Sequence, residues 1–271
     1  MNGRANAWLG GALVALLFGT ALLAAVWTPW DPLAVDLMNK LRPPSMAHWL
    51  GTDEYGRDVA SRAMTAAATS AGVALLSVLG AVLPGVALGL LAGYFGGGLG
   101  RVLMAFNDAL LAFPGILLAL AVMVVLGPGR WGIVLALALA YAPTVVRVVR
   151  GAVVSLREKE YVEASRMIGN AEWVTVWRHV LPHCVGPVAV LATSMFGWVL
   201  LAESALSFLG LGVAPPAPTW GNMLASARPF MAQASYLSIL PGLCIALTLL
   251  GINLLGDAVR DWLDPRMKGV Q

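Results

Sequence analysis

Long unbroken apolar runs, separated by short polar stretches, set the rhythm of this chain. A helix rises about 1.5 Å per residue, so about 20 apolar residues cross the hydrocarbon of a bilayer. Stretches near that length run at approximately 8–28, 69–95, 103–127, 131–150, 184–210 and 236–258. The pattern predicts an all-α integral membrane protein of about six transmembrane helices. Gly85, Gly89 and Gly93 stand four apart on one face of the second stretch, a spacing that lets helices meet backbone to backbone in lipid. Pro84 and Pro114 lie within apolar stretches and predict kinks.

Composition agrees. The 271 residues are 59% hydrophobic and only 11% charged, whereas soluble domains carry about 25% charged residues. A formal charge of +3, with no basic cluster, points away from nucleic acid. Cys184 and Cys244 sit in apolar stretches and read as small buried hydrophobes. Arg4 precedes an apolar run from Trp8 to Trp27. A signal-peptide core is only about 7–15 residues long, so this run reads as an uncleaved first helix. With the N-terminus inside, 11 of the 17 basic residues fall inside and 6 outside, which predicts that both termini are cytoplasmic.

Three stretches outside the spans are long enough to carry function: an external segment from Thr28 to about Ala68, an internal one from about Gly151 to His183, and a Pro-rich external loop from about Gly212 to Ser235. The chain divides at about residue 68. Residues 1–68 hold the first helix and external segment, and 69–271 a five-helix core with the inner loop at about 155–183.

Catalytic chemistry is missing. None of the three lysines precedes Ser or Thr as a phosphate-binding loop requires, and neither a Gly-x-Ser-x-Gly elbow nor a His-Glu-x-x-His pair occurs. His179 and His183 have i,i+4 spacing, but Pro182 between them disturbs the turn a shared metal needs. No enzyme activity, cofactor or metal site is expected. Glu203, flanked by Leu200, Leu201 and Leu206, is an intramembrane carboxylate. It reads either as part of a substrate or ion path or as a hydrogen-bonding anchor near the outer face.

The inner segment is amphipathic. Ser155 and Glu158 form a capping-box pattern predicting a helix start. Tyr161, Ala164, Ile168 and Ala171 then recur at helical spacing opposite Glu160, Glu163 and Arg166. Gly169-Asn170 predicts a turn, and Trp173, Val176, Trp177 and Val180 a second amphipathic stretch at the membrane interface. The segment is either a plain interfacial loop or a helix that docks in a partner's groove.

Glu163-Ala164-Ser165, Gly169 and Leu181-Pro182 resemble the EAA loop of ABC-importer permeases, with Ser165 and His179 departing from the family pattern. His48 to Asp58, Ser204 to Gly212, Pro218 to Gly221, Asn253 to Asp257, Arg260-Asp261 and Leu263-Asp264-Pro265 resemble the peptide/nickel branch, particularly its C-type subunit. The resemblance implies a type I importer permease in a bacterial inner membrane, moving dipeptides, oligopeptides or nickel. It implies as partners a homologous second permease, two ATP-hydrolysing subunits and an external substrate-binding protein. Glu163, Ala164, Ser165 and Gly169 would then form the coupling contact with an ATPase. Gly51, Thr52, Asp53, Gly56, Arg57 and Asp58 would form an external signature, acting either as a structural clasp or as a contact for the binding protein. The rival class is a self-powered secondary transporter or channel, which commonly shows paired intramembrane charges or discontinuous helices.

Overall fold

A computed structural model of the protein describes residues 3–263. Arg266, Lys268 and the Asp264-Pro265 end of the last motif lie outside the described residues. Ten α-helices follow in order: α1 (Gly3–Ala24), α2 (Val59–Tyr94), α3 (Gly97–Leu111), α4 (Gly115–Leu126), α5 (Arg130–Leu156), α6 (Glu160–Met167), α7 (Glu172–Thr175), α8 (Leu181–Phe208), α9 (Trp220–Ala227) and α10 (Tyr236–Leu263). Among the described residues five stretches are long and apolar enough to cross a membrane: α1, α2, α5, α7 continued into α8, and α10. The pair α3 and α4 makes a sixth only as a bent unit.

The tightest seam joins α2 to α5. A Cβ added at Gly85 would stand 2.6 Å from Val145 Cβ, at Gly89 2.7 Å from Val149 Cβ, and at Gly93 2.8 Å from Val153 Cβ. No real Cβ fits at these distances, so each glycine lets a β-branched side chain of α5 rest on the backbone of α2. In lipid, where apolar burial gives little drive, such close packing holds helices together. A similar approach ties α1 to α10, where a Cβ on Gly10 would meet Leu255 N at 2.7 Å.

Three elements depart from the sequence pattern. First, α2 begins at Val59, ten residues before the expected span, and its 36 residues rise about 54 Å, well beyond the hydrocarbon thickness of about 30 Å. Its early turns are too polar for a hydropathy signal. They are helical because Asp58 caps them, accepting from Ser61 N–H at 2.8 Å, and because Trp220 Nε1 of α9 donates to Ala63 O at 3.2 Å. Second, the stretch expected at 103–127 is broken at Phe113-Pro114 into two helices 92° apart. The 12 residues of α4 rise about 18 Å, too little to cross alone. Third, Ser155 and Glu158 do not open a helix. The backbone of α5 continues through Ser155 to Leu156, and α6 starts at Glu160 after an extended Lys159 without a side-chain cap.

Pro182 does not break the start of α8 either. A π-type turn over Val176–Val180 widens the backbone just before it, and Leu181 N–H bonds Val176 O across that turn.

Gly89→Ala should destabilise the purified protein by about 1–3 kcal/mol through overpacking against Val149. Gly11→Ala, where a Cβ meets open space, should leave the melting temperature in detergent unchanged. Equal shifts for the two variants would contradict the seam.

Candidate functional site

The expected functional residues fall at opposite ends of the α2–α5 pair. At the end where α2 begins, the polar signature folds into a compact knot. Thr52 N–H donates to Arg42 O at 3.0 Å, and its hydroxyl accepts from Arg42 N–H at 2.9 Å. Asp53 is 5% exposed and does most of the holding. Its Oδ1 accepts the backbone N–H groups of Tyr55 and Arg57, each at 2.9 Å, while its Oδ2 meets Arg57 Nε at 2.7 Å and Arg62 Nε at 3.3 Å. Asp58 caps α2 with Oδ2 and contacts His48 Nδ1 with Oδ1 at 3.0 Å. The hydroxyl of Tyr236, at the start of α10, lies 2.8 Å from Arg42 O and 2.9 Å from Thr52 O, so it can donate to either carbonyl.

Gly51 and Gly56 adopt φ of +79° and +76°, and a Cβ at either would run into backbone, Arg42 O for Gly51 and the Asp36 carbonyl for Gly56. Only glycine meets both demands. The knot thus links the segment before α2, α2 itself and α10 within this one chain.

Glu203 lies nearby, fully buried on α8. Its Oε1 accepts from Ser207 Oγ at 2.7 Å and its Oε2 from Ser204 Oγ at 3.4 Å. The hydroxyls of Ser70 on α2 and Thr219 also face it. Thr219 caps α9 by accepting from Asn222 N–H, and Trp220 N–H donates to Ser70 Oγ at 3.3 Å. Among the described residues no cation pairs with Glu203. The arrangement joins α2, α8 and α9 through hydroxyl hydrogen bonds.

At the other end, α6 hangs below α5. Val162 and Ser165 face inward and are buried, while Tyr161, Ala164 and Ile168 are exposed, Ile168 to 80%. The apolar face expected from helical spacing is therefore bare. Glu163 is exposed beside it. Gly169 ends the helix with φ of +85° and open space around its missing Cβ.

Beneath that face lies a polar anchor. Ser165 Oγ lies 2.9 Å from Thr175 Oγ1 and accepts from Asn170 Nδ2 at 3.1 Å. Arg166 Nε donates to the Tyr94 hydroxyl at 3.2 Å, its guanidinium stacks 4.9 Å from the Tyr94 ring, and the same hydroxyl bonds Glu172. Tyr161 stacks on His183 with centroids 5.5 Å apart. The last turn of α2 thus holds α6 and α7 in place. Tyr94 lies 72 residues from Arg166 and 78 from Glu172, and no local spacing reveals its part in the anchor.

No group of three or more metal-binding side chains occurs among the described residues. His183 Nδ1 instead contacts His179 O at 3.0 Å.

Asp53→Ala would leave Arg57 and the buried Arg62 without their shared carboxylate. Stranding a buried charge costs about 3–5 kcal/mol, so this variant should accumulate poorly and melt early. Met46→Ala, which removes a fully exposed side chain, should not. Normal stability of Asp53→Ala would show that the knot holds nothing.

Residues 85–269 match the family described as binding-protein-dependent transport system inner membrane component. The glutathione transport system permease protein GsiD of Pectobacterium atrosepticum is 42% identical over 261 residues, covering 95% of this chain and 86% of that protein. The di/tripeptide transport system permease protein DppC of Pseudomonas aeruginosa is 43% identical over 267 residues, covering 96% and 88%. In structure, the chain resembles one from the MetNI methionine ABC transporter in inward-facing conformations, with a TM-score of 0.58 and 20% identity over 72% of this chain and 93% of that one. The chain belongs to the binding-protein-dependent transport system inner membrane component family and is a multi-pass permease subunit of an ATP-binding-cassette importer.

Proposed function

We propose that this chain carries short peptides into the cytoplasm, as half of a permease pair driven by two ATPase subunits. The observation that carries this reading is α6: a short helix held from behind by Tyr94, Ser165 and Thr175 and flanked by the Tyr161–His183 stack, with Ala164 and Ile168 left bare. A helix so placed suits a groove on a partner. Here α6 is the coupling helix, and Glu163, Ala164, Ser165 and Gly169 form its contact and turn. Ser165 contributes from behind, because its hydroxyl is turned inward onto Thr175.

The partners under this reading are a homologous second permease, two ATP-hydrolysing subunits and an external binding protein, in a bacterial inner membrane with both termini cytoplasmic. Hydrolysis takes place on the partners, and the relatives are likewise permease subunits. ATP binding biases the pair between inward and outward openings through different contacts with α6 in the two states. Peptide rather than nickel is favoured as substrate, since the relatives are named for glutathione and di/tripeptide transport. The polar knot serves as a structural clasp closed within this chain, and Glu203 as the anchor that seats α9 on α2 and α8.

A strain lacking this gene should lose uptake of a labelled dipeptide and keep uptake of labelled nickel, whereas loss of nickel uptake alone would overturn the substrate assignment. Gly169→Leu forces a side chain into a left-handed backbone that disfavours it by about 1–2 kcal/mol and projects it from the coupling face. Dipeptide uptake should fall roughly tenfold, equivalent to about 1.4 kcal/mol of docking, with membrane insertion unchanged. Normal uptake would count against the coupling role.

A further inference from the structure

The membrane face formed by α3 and α5 carries charge that neither the clasp nor the coupling helix uses. Arg147 NH2 and Asp108 Oδ1 form an ion pair at 2.6 Å, with side chains 57% and 54% exposed. Arg147 lies nine residues before the end of α5, about 13 Å along the helix. Charges this far along a span are costly against acyl chains and face water or protein instead. Charged side chains within a span are tolerated where they line a water-filled cavity.

Such a cavity is present. About 480 Å³ opens between the end of α2, the start of α3 and the last turns of α5, within the size range of small-molecule sites. Arg101, Arg150 and Arg157 line it, against one carboxylate, Asp108, that Arg147 already engages. Arg150 Nε is buried with no hydrogen-bond partner among the described residues. Among the described residues Arg157 and Arg101 make only long contacts, each 3.4 Å, to Gly93 O and Gly97 O. The N-terminus of α3 at Gly96–Gly97 also borders the cavity without a side-chain cap, adding unpaired N–H groups and a positive dipole end. Every charge balance here favours an anion.

We propose that this cavity is a carboxylate-binding station in the inner half of the translocation path, which receives the C-terminal carboxylate of a peptide on its way out. The proposal rests on the peptide-import reading above. Arg150 is the principal ligand, Arg101 and Arg157 set the field, and Asp108 with Arg147 keeps the site from holding the anion too tightly. Transport requires a station to bind well enough to fill and weakly enough to empty.

The test uses inside-out membrane vesicles containing the assembled transporter, with Ala105→Cys as a reporter on the cavity wall. Modification of this chain is followed by mass. An anionic sulfonatoethyl methanethiosulfonate should react roughly tenfold faster than its cationic trimethylammonioethyl counterpart, the bias expected where clustered charge focuses counter-ions. Alanylalanine should slow the anionic reagent while its C-terminal amide does not, and Arg150→Gln should abolish that protection, with Arg101 and Arg157 keeping part of the rate bias. Reaction with neither reagent would mean lipid or a subunit covers the face, and would overturn the proposal. So would equal rates in the unmodified cavity, equal protection by the amide, or protection by inorganic phosphate but not by alanylalanine. Dipeptide uptake by intact cells separates the two readings. Its absence in the parent strain defeats peptide import itself, whereas normal uptake with no charge preference at Ala105→Cys defeats the station alone.

Discussion

The close approach of α2 and α5 is the constraint on which the rest of the molecule depends. Three glycines let three valines lie on a bare helix backbone, and the resulting pair runs between the two specialised ends. At one end the extra turns of α2 carry Asp58, Ser61 and Arg62 into the clasp. At the other, Tyr94 receives Arg166 and Glu172, and α5 leads directly into α6. A push on α6 therefore meets the end of a stiff two-helix strut rather than a loose loop. Dispersion between closely packed atoms supplies the stiffness, since lipid offers little apolar drive to hold helices together.

Polar groups in so apolar a chain are handled in distinct ways. Asp53 and Asp58 are consumed by backbone N–H groups and neighbouring arginine or histidine, and so organise a loop. Glu203 is enclosed by hydroxyls, which tie three helices together. The charges on α3 and α5 remain exposed or incompletely bonded. Contact also explains why α6 stands out: its inward residues are bonded and Tyr161 stacks on His183, while Ala164 and Ile168 remain exposed.

Much of this was legible in the residues. Periodicity identified α1, α5, α8 and α10, and the four-residue glycine spacing marked the face of α2 that α5 covers. The EAA and external motifs located both ends of the molecule. Hydropathy failed where geometry outweighed composition. It missed the first ten residues of α2, because Ser61, Arg62 and the Ala63 carbonyl become helical only once Asp58, Asp53 and Trp220 have engaged them. It read α3 and α4 as one span, because apolar content carries no information about the turn at Phe113-Pro114. Ser155-x-x-Glu158 had the composition of a cap, but α5 was already committed to pass through it. Tyr94, Glu172 and the cavity arginines were out of reach altogether, since only the packing of distant helices brings them together.

The most direct test of the coupling helix is a photoreactive benzoyl-phenylalanine placed at Ile168, on the bare face of α6, in the assembled transporter in its membrane. If α6 seats in an ATPase groove, illumination should join this chain to the ATPase subunit, and nucleotide should change the yield. Crosslinks confined to lipid or to the other permease would place α6 away from the ATPase and contradict its role as the lever.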